Sequence, residues 1–175
     1  MQMRIKRSQP RANPQVDSHA REKNGKPRLP QALWGGLTNL VRRRPLLAVF
    51  QVNLRCNSSC GYCNLPLNVG RYEMSRQEIR NVFAGLYRDG LRLVFMQGGE
   101  PLLRRDLSAI LQDLVEIGFH LTVITNGTKL TPHLVQQLDD LSVSLSISLD
   151  TLNRNRYERI RGADQLHMVL AGLDL

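Results

Sequence analysis

Cys56, Cys60 and Cys63 are the three cysteines of the 175-residue chain, and all fall within eight consecutive positions. A disulfide framework uses an even number spread along the sequence, so tight clustering of an odd number points to metal. Thiolates are soft donors that suit iron–sulfur clusters or zinc. A structural zinc site takes four ligands, often as paired Cys-x2-Cys units. Electron-transfer clusters also take four cysteines, at other spacings. No fourth cysteine is present, and His19, His120, His133 and His167 all lie away from this segment. Three thiolates on a 4Fe–4S cube leave one iron without a protein ligand, open to something else. The spacing Cys-x3-Cys-x2-Cys therefore reads first as a catalytic cluster site, with zinc as the alternative.

Four further groups carry polar or glycine-rich chemistry: Gly98-Gly99-Glu100-Pro101, Thr125-Asn126-Gly127, Ser148-Leu149-Asp150 and Arg161-Gly162. Glycines let a backbone approach a ligand closely, and a carboxylate such as Glu100 can pair with a cationic amino group. Each group has a plainer reading. Gly-Gly-x-Pro is a tight turn, Asn126 is a left-handed turn residue, Ser148 and Asp150 form a cap or turn, and Arg161 is one solvated charge among Arg154, Arg156 and Arg159.

The elements that must position these residues alternate in type. Leu46–Val52 is an apolar run of strand formers. Residues 53–73 form the loop that holds the cysteines. Ser75 with Glu78 is a capping box opening a helix to about Asp89, stopped by Gly90. Leu91–Met96 reads as a second strand. Asp106 is placed to cap a helix to Ile117, and Phe119–Thr125 is a third strand. Thr131-Pro132 opens a third helix, and Ser142–Leu149 is a fourth strand. A polar, arginine-rich segment follows, then a helical stretch over His167–Leu173.

Strands alternating with helices mean βαβ units and a parallel sheet. A closed eight-unit barrel takes about 250 residues, so residues 45–175 supply about four units. The expected class is α/β: an incomplete parallel (β/α) barrel, TIM-barrel-like. In such folds ligands sit at the carboxyl ends of strands. The cysteine loop follows the first strand, Gly98–Pro101 the second, Asn126 the third, and Ser148 and Asp150 the fourth. All belong on one rim, and strand alternation sends Ser148 and Asp150 to the same side.

Cys56-x3-Cys60-x-Tyr62-Cys63 after a first strand resembles the defining motif of the radical S-adenosylmethionine (SAM) superfamily, including the aromatic residue before the third cysteine. Gly98-Gly99-Glu100-Pro101 resembles that family's GGEP motif, and Ser148-Leu149-Asp150 its fourth-strand segment. The order of motifs over residues 46–162 most resembles the MoaA/PqqE-like branch. The resemblance implies a 4Fe–4S cluster held by Cys56, Cys60 and Cys63, with SAM chelated at the open iron. It implies SAM contacts from Tyr62, Gly98, Gly99, Glu100, Pro101, Asn126, Ser148, Asp150 and Arg161. The implied chemistry is reductive cleavage of SAM to methionine and a 5′-deoxyadenosyl radical that abstracts a substrate hydrogen. An electron donor such as flavodoxin or ferredoxin and a substrate, small molecule or peptide, are implied partners. The family core usually has six β/α units, so an N-terminal part of that core is expected.

The net charge of +9 resides in residues 1–44, with 11 Lys/Arg against 2 Asp/Glu; the rest balances at 13 of each. Residues 1–30 read as a basic disordered tail, residues 31–45 as a short amphipathic helix, and residues 46–175 as the partial core. The tail offers no base-reading or stacking residues, so nucleic acid is not an expected partner. No apolar run reaches the roughly 20 residues that cross a bilayer, and the basic N-terminus lacks a secretory apolar stretch; the expected compartment is the cytoplasm. The competing reading is a truncated, non-catalytic iron–sulfur or zinc-binding module with a basic tail.

Overall fold

A computed structural model describes residues 44–175. The expected tail and all but the last two positions of the expected amphipathic helix lie outside the described residues. Four parallel strands form one sheet in the order β1-β2-β3-β4: β1 Leu47–Gln51, β2 Leu93–Gln97, β3 His120–Thr125 and β4 Ser144–Ile147. Register runs straight across, with Val49 opposite Phe95, Phe95 opposite Thr122, and Thr122 opposite Ser144. Helices α1 (Arg76–Arg88), α2 (Leu107–Ile117) and α3 (Pro132–Asp140) make the crossovers, and α4 (Arg154–Arg161) and α5 (Leu166–Leu173) follow β4. This is the α/β, four-unit architecture expected from the alternating pattern.

Alternation along the strands divides the sheet into two faces. Val94, Met96, Leu121 and Val123 point to the helical side and are buried against Ile79 and Phe83 of α1, Ile110, Leu111 and Leu114 of α2, and Leu138 of α3. Phe50, Phe83, Phe119 and Tyr87 run through this core as edge-to-face pairs at 5.2, 5.5 and 5.3 Å, a geometry favoured by the ring quadrupoles. Outside the core, Asp113 of α2 binds Arg76 (2.6 Å) and Arg80 (2.8 Å), linking α1 to α2. The opposite face of the sheet carries Leu47, Val49 and Leu93, all exposed, with Val49 57 % accessible.

All four strands start one or two residues later than the apolar runs suggest, and three of them do so for one reason. Leu91, Phe119 and Val143 donate their backbone N–H groups to Leu86, Leu114 and Leu138, at 3.0, 3.1 and 2.8 Å. Each bond spans five residues and closes a Schellman motif at the end of α1, α2 or α3. An apolar residue two or three positions past each helix therefore terminates the helix before the chain enters the sheet. Ser142 occupies the left-handed turn position of the third motif, with φ of 53°.

The Ser75–Glu78 capping box is present, and Thr131 caps α3 ahead of Pro132. Asp106 departs from expectation: it stands at the N-cap of α2 but makes no side-chain cap bond. Its carboxylate is drawn instead to Arg104, whose Nε and Nη2 donate to its two oxygens at 2.8 and 3.2 Å, a two-pronged bond charged on both sides. The arginine-rich segment after β4 is helix α4, capped by Asn153. Its composition hides its amphipathicity, because the buried residues are Tyr157 and Arg161.

Candidate active site at the carboxyl rim of the sheet

The cysteine loop leaves β1 as an extension of the sheet. Val52 N–H donates to Gln97 (2.8 Å), Gly99 N–H to Asn53 (3.0 Å) and Glu100 N–H to Arg55 (2.7 Å). Asn53 Nδ2 donates to the Glu100 carbonyl at 2.8 Å. This pairing demands glycine at position 99, where a Cβ would sit 2.2 Å from the Arg55 carbonyl oxygen. Arg104 adds a second tie, donating to the carbonyls of Val52 (2.5 Å) and Met74 (2.8 Å).

Beyond Arg55, the loop turns across the ends of β3 and β4. Cys56, Cys60 and Cys63 are free thiols that share a cavity of about 250 Å³ with Tyr62, Gly98, Gly99, Asn126, Ser148 and Arg161. A recess of about 300 Å³ lies between α4 and α5, lined by the Arg154–Asp164 ion pair and His167, without sulfur donors. The smaller cavity is the chemically equipped one. Tyr62 stands at its mouth, 66 % exposed.

Several of the expected contacts are engaged within the fold. Glu100 is fully buried and accepts from Thr125 Oγ1 (2.6 Å), Asn126 N–H (2.7 Å) and Leu102 N–H (3.0 Å). Thr125 Oγ1 accepts from Gly127 N–H at 3.0 Å, which leaves its proton aimed at the carboxylate. Burial pushes the Glu100 carboxyl above its ordinary range, against the pull of these donors. Here the carboxylate fastens the end of β2 to the end of β3. Pro101 is buried as the first residue of a short 3-10 turn, Pro101–Leu103.

Asn126 is a bracket for the cysteine loop. Its Nδ2 donates to Asn57 Oδ1 (2.8 Å) and Ser58 Oγ (3.3 Å), and its Oδ1 accepts from Thr128 N–H (3.0 Å) and Thr128 Oγ1 (2.8 Å). Asn57 Nδ2 closes the ring onto Thr128 Oγ1 at 2.8 Å. Gln165, at the start of α5, donates to the Asn57 carbonyl at 3.3 Å. The left-handed turn reading of Asn126 does not hold: positive φ belongs to Gly127. Asn57, Ser58, Arg104, Thr128 and Gln165 were not singled out from sequence, because their role depends on contacts between distant segments. Thr128, two residues after Asn126, carried the one local hint.

Ser148 lies past the last residue of β4 but prolongs its pairing, donating N–H to Thr125 at 2.9 Å. Asp150 does not line the cavity; it reaches the site through Arg161, with Oδ2 2.7 Å from Nε. Arg161 is 6 % accessible, so the solvated-charge reading does not hold.

The donor set fits a four-iron cube. Thiolates are soft donors that suit an iron–sulfur cluster, and all three line the same cavity. In a cube each thiolate would hold its own iron. Burial raises the Cys56 thiol, and the Ser58 N–H, 3.4 Å from its sulfur, opposes that rise. Iron must displace this proton on binding.

A sequence model of the radical SAM superfamily matches residues 51–175. The chain belongs to the radical SAM superfamily. It is 35% identical over 143 residues to a probable GTP 3′,8-cyclase of Methanothermobacter marburgensis, covering 75% of this chain and 44% of that protein. It is 38% identical over 146 residues to the GTP 3′,8-cyclase of Erythrobacter litoralis, covering 78% and 43%. These relatives place it in the MoaA/PqqE-like branch. The crystal structure of Streptococcus suis SuiB bound to S-adenosylmethionine superposes with a TM-score of 0.59 at 19% identity, over 86% of this chain and 35% of SuiB. That likeness supports the TIM-barrel-like fold class. The chain spans about two fifths of the length of these curated relatives. The family's cofactors are a 4Fe–4S cluster and SAM. Among the described residues no helix is long and apolar enough to cross a membrane.

Proposed function

We propose that this chain supplies the cluster-binding part of a radical SAM active site. Cys56, Cys60 and Cys63 hold a 4Fe–4S cluster, and SAM binds over the carboxyl rim of the sheet. The observation that carries the reading is the meeting of three free thiols with Gly98, Gly99, Asn126 and Ser148 around one cavity. When bound, these groups supply one-electron reductive cleavage of SAM to methionine and a 5′-deoxyadenosyl radical. The chain's own residues do the positioning. Gly98 and Gly99 present bare backbone to the ligand. Ser148 offers its hydroxyl from the β4 end, and Tyr62 covers the mouth of the cavity. Glu100 acts one layer behind and Asn126 at the cavity wall, holding the β3 end and the cysteine loop together.

The reductant is a small electron carrier such as flavodoxin or ferredoxin, in the cytoplasm. Both relatives described above are named GTP 3′,8-cyclases, which makes a nucleoside triphosphate the first substrate to assay. The test is anaerobic reconstitution of the chain with iron and sulfide, followed by electron paramagnetic resonance of the reduced protein with and without SAM. A four-iron signal that changes on adding SAM, lost in Cys60→Ala, is the expected result. Zinc uptake with no iron uptake would sink the proposal.

A further inference from the structure

The structure binds the cysteine loop to α4 by more than packing. Ser59 N–H donates to the Arg161 carbonyl (3.0 Å) and Gly61 N–H to the Ile160 carbonyl (3.4 Å). The last turn of α4 thus accepts from the two residues that flank Cys60. The approach is so close that a Cβ on Gly162 would lie 2.5 Å from the Ser59 carbonyl oxygen. From this same turn the Arg161 side chain runs back under the loop. Its Nη2 donates to the Ser148 carbonyl (3.0 Å), its Nε lies 2.7 Å from Asp150 Oδ2, and its Nη1 stands 3.9 Å from Cys60 Sγ.

We propose that Arg161 sets the reduction potential of the cluster through the Cys60 sulfur, and that Asp150 is the positioning residue that aims it. The inference rests on the reading of the three cysteines as ligands of a 4Fe–4S cluster. Reduction adds one negative charge to the cluster. Cluster potentials respond to net charge, to hydrogen bonds on the sulfurs and to solvent exposure. A guanidinium stays charged at every working pH, and this one is almost wholly shielded from water, so solvent screens it little. It stabilises the reduced state and raises the potential. The Asp150 carboxylate carries the opposite sign and offsets part of the effect. The α4 carbonyls near Cys60 present the negative end of the helix dipole, which makes a buried cation there the natural counterweight.

The two charges give the proposal a signature that scaffolding alone lacks. In the reconstituted full chain, the midpoint potential is followed by the reduced-cluster resonance during a mediated reductive titration. Arg161→Gln should shift the one-electron reduction equilibrium about tenfold towards the oxidised cluster, the order of a charge-assisted bond, or about 59 mV downward. Asp150→Asn should shift it upward, and Arg161→Lys should lie between wild type and Arg161→Gln. Equal potentials, or shifts of the same sign in Arg161→Gln and Asp150→Asn, would overturn the proposal. Should Arg161→Gln fail to retain a cluster, Asp150→Asn decides alone: an upward shift supports the electrostatic role, and no shift refutes it. Iron and sulfide content of the wild-type chain reports on the cluster reading separately. Failure to load iron defeats that reading, whereas a loaded cluster indifferent to both charges defeats only the role given to Arg161.

Discussion

Replacing Gly99 with alanine tests how the cysteine loop is held. The added Cβ would lie 2.2 Å from the Arg55 carbonyl oxygen and 2.5 Å from its carbon, about 0.8 Å inside the 3.0 Å floor for such contacts. Both atoms are backbone, so no side chain can swing aside. Arg55 must retreat, and the 2.7 Å bond from Glu100 N–H to its carbonyl lengthens or breaks. Overpacking of this kind costs about 1–3 kcal/mol, and a lost hydrogen bond adds about 1 kcal/mol. The expected destabilisation is therefore about 2–4 kcal/mol. Because Arg55 precedes Cys56 directly, the first cysteine moves with it, and iron loading should fall together with stability. Urea unfolding measures the first effect, and iron and sulfide content after reconstitution the second. Gly85→Ala is the control: at this α1 position a Cβ meets nothing nearer than 4.0 Å, and helix propensity favours alanine by about 1 kcal/mol. A Gly99→Ala protein that unfolds at the wild-type urea concentration and loads iron normally would refute this account of the loop.

Glu100→Gln should cost about 1–3 kcal/mol, because three donors converge on the carboxylate and the new amide NH2 must face one of them; urea unfolding at neutral pH checks it, and wild-type stability would speak against the clasp. Arg76, and secondarily Arg80, hold the Asp113 carboxyl below its ordinary range. Its contribution is thus complete above the unfolded aspartate value near 3.9 and is lost as pH falls through the lower folded value. Asp113→Asn should remove that acid-side loss from a plot of stability against pH, and an unchanged plot would count against the pair. Ser142→Gly, at φ of 53°, should stabilise the fold by about 0.5–1 kcal/mol, as relief of left-handed strain exceeds the added chain entropy; a lower thermal midpoint would contradict this.

The sequence carried the architecture well wherever signals were local. The Ser75–Glu78 box, the Thr131-Pro132 start and the alternating apolar runs each depend on neighbours within a few residues, and each appears in the fold. Strand starts were misplaced because Leu91, Phe119 and Val143 are as apolar as strand residues, while their backbone bonds belong to the preceding helix. Helix α4 was missed because its inward face includes Arg161, a residue that hydropathy counts as solvent-facing. In the site, the cysteines, the glycines and Asn126 were legible as a set because all follow strand ends. What each one touches was less so. The burial of Glu100 and the partners of Asn126 arise from segments about 25 and 70 residues apart, and spacing alone carries no information about such pairings.

The clasp between the cysteine loop and α4 also orders events in time. Ser59 Oγ reaches the Gly162 carbonyl across a separation of 103 residues. At synthesis rates of about 5–20 residues per second, the three cysteines leave the ribosome roughly 5–20 s before the helix turn that seats them. A nascent chain halted short of α4 carries its thiols on a loop with neither Arg161 nor the Ile160 and Arg161 carbonyls to shape it. The seat for the three cysteines is therefore complete only once the chain has been made as far as Gly162.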